Sequence, residues 1–449
     1  MMKAVLLVDD DRAFRALVAQ SLTAGGWQVL EADDGEVGLK LALLHRPAAI
    51  LCDLLMPRSN GFQLCRAVRS HQDRLGRPRI IVTTGSGYAA DRKSAMEAGA
   101  DDYLVKPVST QRLLELLKTA LGSPDAPGPP AGGPDPATVP RPARVKFWGV
   151  RGSIATPGPT TVRYGGNTAC IEVRSNGELI VLDAGTGLRP LGLALMEEFK
   201  DQPIHLTLLI SHTHWDHIQG FPFFIPGYDP KNKIRILGYE GARRGLEITL
   251  AAQMESPYFP ISLRQMPGHI AVEELRDLEF SVGQVPVRAA FLNHPGICTG
   301  YRLFTSGGSI SYLPDVEPHH RFNARQGSPA DDTAMLEFAR SQDQKLVEFV
   351  RGSELLIVDC QYDAREYEQH VGWGHSSVDD SVALALEAGV KRLFTFHHDP
   401  GHDDDKILAM QEEARALVAR HGGHLRVDAA QEGLEVILEP ARHASAQPA

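Results

Sequence analysis

Cysteine is scarce and unpatterned in this chain. Its five cysteines, Cys52, Cys65, Cys170, Cys298 and Cys360, show no CxxC or framework spacing, so they read as reduced, mostly buried thiols and not as a disulfide scaffold. No apolar run approaches the length that spans a bilayer, and the first residues lack a secretory signal pattern. A cytoplasmic protein with no membrane partner is the expectation. Positive charge is not in surplus either: 46 Lys and Arg against 56 Asp and Glu leave a net charge of -10. That balance makes nucleic acid an unfavoured partner, though a polynucleotide substrate stays open. Histidine is almost missing from the first part, where only His45 and His71 precede residue 123, while sixteen follow. Imidazole chemistry therefore belongs to the later part. At 449 residues, two or three domains are expected.

The densest chemistry lies in Ser211–His217, which reads Ser-His-Thr-His-Trp-Asp-His. It follows the apolar run Leu206–Ile210, a buried-strand pattern. On extended backbone His212 and His214 point to one side, and Asp216 and His217 come where a turn brings them back toward that pair. Three imidazoles and a carboxylate at the end of a buried strand are costly to hold together without a cation. They suit one divalent metal, or two close together.

Residues 1–122 alternate short apolar runs with amphipathic stretches. Ala4–Val8, Trp27–Leu30, Ala49–Cys52, Ile80–Val82 and Asp102–Val105 are the strand candidates, with helices over Arg12–Ala24 and Gly35–His45. Such alternation predicts a doubly wound five-stranded parallel sheet, which binds ligands at the carboxyl ends of its strands. Asp9, Asp10, Asp53, Thr84 and Lys106 fall at those ends. Three converging carboxylates call for a hard cation such as Mg²⁺.

Through Val8-Asp-Asp10, Cys52–Pro57, Thr84 and Gly99–Pro107, this part resembles the receiver domain of two-component response regulators. The resemblance implies that Asp53 accepts a phosphoryl group from a sensor histidine kinase or phosphotransfer protein. It implies Mg²⁺ on Asp9, Asp10, Asp53 and the Leu55 carbonyl, phosphoryl contacts from Thr84 and Lys106, and Tyr103 as an aromatic switch. A cis Lys106-Pro107 bond and a homodimer through the face near Tyr103 go with it.

Residues 123–142 hold eight prolines and three glycines and read as an extended linker. From 143 to 441 the pattern turns β-rich, and 442–449 are a tail. Strand candidates are Val145–Trp148, Cys170–Arg174, Leu179–Leu182, Leu206–Ile210 and Ile234–Leu237, with helical patterns over Leu188–Phe199 and from Ile218 onward. Several apolar runs end in a donor: Asp183, His294, Asp315, and the pair His397 and His398. Strand alternation favours His397 over His398 as the one facing a site. Gln253–Ile270 reads as an irregular, aromatic insertion, either a substrate wall or a packed loop. His319, His320, His402, His421, His424 and His443 read as surface residues, while Arg151 and Arg163 could each meet an anionic substrate or make an ordinary surface pair.

In the order Asp183, His212–His217, His294, Asp315, His397, this part resembles the metallo-β-lactamase fold hydrolases, an αββα sandwich. The aspartate Asp315 and the stretch Gly374–Ser381 look most like the phosphodiesterase and tRNase Z-like branch. The resemblance implies one metal on His212, His214, His294 and Asp315, and a second on Asp216, His217, Asp315 and His397. Asp183 would brace the histidine loop. Zinc is the first expectation, with manganese or iron also suited. The metal pair would ionise a bridging water, Asp216 would orient it or take its proton, and His375 would protonate the leaving oxygen. His375 could otherwise serve only to cap the helix Ser377–Ala388.

The expectation is a response regulator with a dinuclear hydrolase output, most simply a phosphodiesterase for a cyclic nucleotide or other small phosphodiester, regulated at Asp53. A nuclease, a thioester, lactone or β-lactam hydrolase, and a non-catalytic metal-bound module are the alternatives.

Overall fold

The structure is a computed structural model that describes residues 4–24, 26–106, 108, 142–239, 245–323 and 332–440. Pro107, the linker up to residue 141, His443 and the tail 442–449 lie outside the described residues. The chain divides into two compact units.

The first unit holds the strands β1 (Ala4–Val8), β2 (Gln28–Ala32), β3 (Ala49–Cys52), β4 (Arg79–Thr84) and β5 (Asp102–Val105) in the order β2-β1-β3-β4-β5. Every pairing is parallel. Strands covered on both faces must be apolar throughout, and β3, Ala-Ile-Leu-Cys, is buried at all four positions. The helices start on local chemistry. Asp34 accepts the backbone N–H groups of Glu36 and Val37 ahead of Gly35–His45, and Asn60 and Gln63 close a capping box on Gly61–Ser70. Both predicted helices, Arg12–Ala24 and Gly35–His45, form over those spans.

The second unit holds β6 (Ala143–Gly149), β7 (Cys170–Ser175), β8 (Glu178–Leu182), β9 (His205–Leu209), β10 (Lys233–Gly238), β11 (His269–Glu274), β12 (Glu279–Val282), β13 (Val285–Phe291), β14 (Thr299–Thr305), β15 (Gly308–Leu313), β16 (Leu355–Asp359), β17 (Arg392–Phe396), β18 (Arg426–Ala429) and β19 (Glu435–Leu438). They make two seven-stranded mixed sheets, β11-β10-β9-β8-β7-β6-β19 and β12-β13-β14-β15-β16-β17-β18. The period of two sorts their residues into layers. Val181, Leu208 and Ile236 turn outward and pack with Leu188, Leu191 and Leu195 of the helix Leu188–Phe199. Leu356, Val358 and Leu393 of the other sheet pack with Val382, Ala385, Ala414 and Leu417 of the helices Val378–Glu387 and Asp404–Arg420. Inward residues join the sheets, as in the Phe147–Phe394 ring pair at 5.0 Å. The result is the αββα sandwich.

Two local expectations need correction. The helical pattern from Ile218 onward breaks into the short 3-10 turns Phe221–Phe223 and Ile225–Tyr228, because Pro222 and Pro226 cannot continue an α-helix. The stretch 253–270 is not irregular throughout: it includes a 3-10 turn at Leu263–Gln265 and the start of β11, where His269 is exposed.

Candidate metal centre

In the second unit the chemistry gathers at the carboxyl ends of β8, β9, β13, β15, β16 and β17. His212, His214, His294 and Asp315 present one ligand atom each, all within 4.8 Å of one another, and Asp216, His217 and His397 do the same beside them. Asp315 faces both groups. Its Oδ2 lies 3.6 Å from Nε2 of His212 and of His294, and its Oδ1 lies 3.1 Å from His217 Nε2 and 3.4 Å from His397 Nε2. Asp216 Oδ2 is 3.2 Å from His217 Nε2 and 3.1 Å from His397 Nε2.

The other ring nitrogens are held from outside. His217 Nδ1 meets Asp183 Oδ2 at 2.8 Å, His294 Nδ1 meets the Gly374 carbonyl at 2.8 Å, and His397 Nδ1 meets Gln361 Oε1 at 3.0 Å. Those acceptors fix the protons on the outer nitrogens and leave Nε2 as a lone-pair donor toward the interior. His212 Nε2 is buried there with no hydrogen-bond partner. Inward nitrogens pointing at one another, as His214 Nδ1 and His294 Nε2 do at 3.0 Å, repel unless something positive lies between them. The donor set thus fits two divalent cations sharing the Asp315 carboxylate.

Charge balance agrees. Burial holds His212 well below the ordinary imidazole range and His294 at about 3, so both stay neutral. Burial would raise Asp216 and Asp315, but the neighbouring imidazoles, His217 and His397, outweigh it and keep both well below the usual carboxylate range. Neutral imidazole and ionised carboxylate are the forms that bind metal. Burial likewise opposes charge on His217, yet Asp315, Asp216 and Asp183 raise it far above normal. A cation in place of that proton would satisfy the same carboxylates.

Backbone strain concentrates here. Ser153, Asp183 and His397 are three of the seven non-glycine residues with positive φ among the described residues. At His397, φ 58°, the chain leaves β17 and turns its imidazole into the centre. His398 faces away and meets the Ala430 carbonyl through Nε2 at 3.0 Å. Ser153 donates its N–H to Asp216 Oδ2 at 2.7 Å.

His375 joins the cluster: with Asp315 and His397 it makes a further group whose ligand atoms lie within 4.8 Å of one another. Its Nδ1 is 2.9 Å from Asp359 Oδ2, its ring stacks on His397 at 5.0 Å, and Asp315 Oδ2 lies 4.0 Å away. Burial opposes its protonation, but Asp359 outweighs that and carries it to about 9. Ser377, not His375, caps the helix Val378–Glu387.

In the first unit Lys106 Nζ donates to Asp9 Oδ2 at 2.6 Å and Asp53 Oδ2 at 2.8 Å. Asp9, Asp10 and Asp53 form another group that could hold a cation. Burial, then the Asp53 charge, pushes Asp9 up to about 7 despite Lys106. The N–H of Leu54, just before Leu55, donates to Asp53 Oδ1 at 2.6 Å. Thr84 is fully buried at the end of β4, and Tyr103 is turned inward with its hydroxyl on the Ser86 carbonyl at 2.8 Å.

Comparison with known proteins matches residues 5–118 to the response regulator receiver domain and residues 179–398 to the beta-lactamase superfamily domain. Residues 5–118 are a response regulator receiver domain and residues 179–398 a beta-lactamase superfamily domain. The receiver is 40% identical over 117 residues to the response regulator MprA of Mycolicibacterium vanbaalenii, across 26% of this chain and 49% of that protein. The chain thus spans about half the length of the curated relatives it matches. Among solved structures, a diphosphatase of the PhnP family aligns at 17% identity over 67% of this chain and 99% of its own, TM-score 0.45. Human tRNase Z, short form, aligns at 19% over 66% and 99%, TM-score 0.43.

Several side chains of the beta-lactamase superfamily domain differ from the sequence expectation. Arg151 neither meets an anion nor sits at the surface: it is fully buried, donating to the carbonyls of Gly165, Asp399 and His402. Arg163, by contrast, keeps to its surface reading: it is exposed and lies over the Tyr164 ring. His402 is buried against Glu366, and His319 and His320 are gripped by Asp343. Asp359, Gln361 and the Gly374 carbonyl were not foreseen. Asp359 had a signal, since it ends the apolar run Leu355–Val358 as Asp183 ends its own; the other two had none.

Proposed function

We propose that the beta-lactamase superfamily domain is a dinuclear metal-dependent phosphodiesterase for a cyclic nucleotide or another small phosphodiester, and that phosphorylation of Asp53 regulates it. The supporting observation is the split face of Asp315, one oxygen toward His212 and His294 and the other toward His217 and His397. His212, His214, His294 and Asp315 would hold one cation, and Asp216, His217, His397 and Asp315 the other, zinc first and manganese or iron next. When bound, such a pair makes hydroxide available near neutral pH and offsets charge building on phosphorus.

The chain's own groups do the rest. Asp216, fixed by the Ser153 N–H, orients the attacking oxygen and receives its proton. His375, held by Asp359, presents Nε2 to the leaving oxygen and donates the proton it needs. Asp183, Gln361 and the Gly374 carbonyl keep the imidazoles in one tautomer, so little reorganisation accompanies reaction. In the receiver, Asp53 takes the phosphoryl group from a histidine kinase or phosphotransfer protein, with Mg²⁺ on Asp9, Asp10 and Asp53 and with Thr84 and Lys106 on its oxygens.

The test is metal analysis of the purified full chain, joined to turnover of cyclic nucleotides, bis(p-nitrophenyl) phosphate, precursor tRNA and acyl esters. Two metal equivalents and metal-dependent hydrolysis of small phosphodiesters support the reading. Turnover of acyl esters alone, or of none, overturns it.

A further inference from the structure

Glu317 is a fully buried carboxylate two residues beyond Asp315, and it belongs to none of the ligand groups. Its Oε1 accepts the Tyr367 hydroxyl and the Gly372 N–H, both at 2.7 Å, and its Oε2 accepts the Gly374 N–H at 2.9 Å. Gly372 and Gly374 both have positive φ, 90° and 89°, so this segment follows a path that side chains resist. The path matters because the Gly374 carbonyl meets His294 Nδ1 and the next residue is His375.

Glu317 also fixes its own segment to a second ligand. Its N–H donates to the Asn293 carbonyl at 2.9 Å, and Asn293 Nδ2 returns a bond to the Glu317 carbonyl at 2.8 Å. Asn293 directly precedes His294. Through its carboxylate on the one side and its backbone on the other, one residue therefore binds together the segments carrying Asp315, His294 and His375. Ionised acceptors make the stronger hydrogen bonds, and a buried carboxylate needs them to offset lost hydration.

We infer that Glu317 is a positioning residue: it templates the Gly372–Gly374 turn so that His375 faces the leaving oxygen while the Gly374 carbonyl fixes His294. This rests on the phosphodiesterase reading and adds to it a residue that touches neither cation nor substrate. In Glu317→Gln the amide keeps one acceptor oxygen, so whichever way it flips its N–H₂ faces one of the two glycine N–H groups; that N–H loses its acceptor, and the turn shifts and His375 with it.

The experiment uses the full chain loaded with metal and a series of methyl aryl phosphates, from p-nitrophenol to unsubstituted phenol as leaving group. A poor leaving group depends on protonation far more than a good one. Glu317→Gln should lose on the order of ten-fold more kcat on the phenyl than on the p-nitrophenyl ester, within the range of general-acid effects. Tyr367→Phe, which keeps both glycine bonds, should show a smaller change in the same direction and stands in if Glu317→Gln does not fold. An equal loss on every ester, or none, overturns the inference. If the parent protein turns over neither ester, the phosphodiesterase reading fails, and nitrogen-15 histidine spectra decide the positioning role alone. The His375 Nδ1–H signal, assigned by its loss in Asp359→Asn, should shift or broaden in Glu317→Gln; an unmoved signal contradicts the inference.

Discussion

His217 and Asp183 lie 2.8 Å apart through Nδ1 and Oδ2, and that bond decides which nitrogen of His217 faces the interior. Asp183 is fully buried and also accepts the Ser211 N–H, the Ser211 hydroxyl and the Tyr312 hydroxyl, each at 2.7 Å. It is the anchor of the whole His212–His217 loop.

Asp183→Asn swaps one acceptor oxygen for a donor and should weaken metal binding by about 10–100-fold, the usual effect of losing such an outer partner. Competition against a chelator measures it. Unchanged affinity would mean that His217 keeps its orientation without Asp183.

His397 and His398 should separate cleanly. His397→Ala removes a donor shared with Asp216 and Asp315, so bound metal should fall from two equivalents toward one. His398→Ala should leave two, because His398 is bonded to Ala430 instead. Gly152→Ala reaches the same end differently: a Cβ there would lie 2.3 Å from the His397 ring and must displace it. Elemental analysis of the three variants checks the set.

The strand-end donors were legible because each one follows an apolar run that the period of two places at a rim. His212, His294, Asp315 and His397, which the structure brings into groups that could hold a metal, were placed at the rim in that way. The partners that hold them were hidden, since Gln361 and the Gly374 carbonyl reach His397 and His294 across 36 and 80 residues. β19 was hidden for the same reason: its four residues pair antiparallel with β6, with Glu435 opposite Lys146. Arg151 was misread because arginine is ordinarily exposed, and only the fold supplies the three carbonyls that permit its burial.

Asp343 gives a pH signature away from the metal centre. It accepts the His319 and His320 N–H groups at 2.8 and 3.1 Å and faces their Nδ1 atoms at 3.2 and 2.7 Å. Burial would raise its pKa, but these partners outweigh it and hold it well below the usual carboxylate range. A carboxyl depressed on folding adds stability above its unfolded pKa, near 3.9, and loses it as the pH falls toward the folded value. Asp343→Asn should therefore cost about 1–3 kcal/mol at pH 7, and the gap from the parent should narrow below about pH 4. Urea unfolding at both pH values measures it; a constant gap would contradict the charge assignment.

Regulation predicts a difference at Asp53. Beryllofluoride treatment should change hydrolysis by the parent chain and leave Asp53→Ala unmoved. Equal rates in treated and untreated parent would remove receiver control.

The central claim is that two cations share Asp315, and anomalous scattering from crystals of the metal-loaded full chain tests it most directly. Two peaks roughly 3.5–4 Å apart, one beside His212, His214 and His294 and the other beside Asp216, His217 and His397, with Asp315 reaching both, are predicted. A single peak, or none among these residues, would contradict the account.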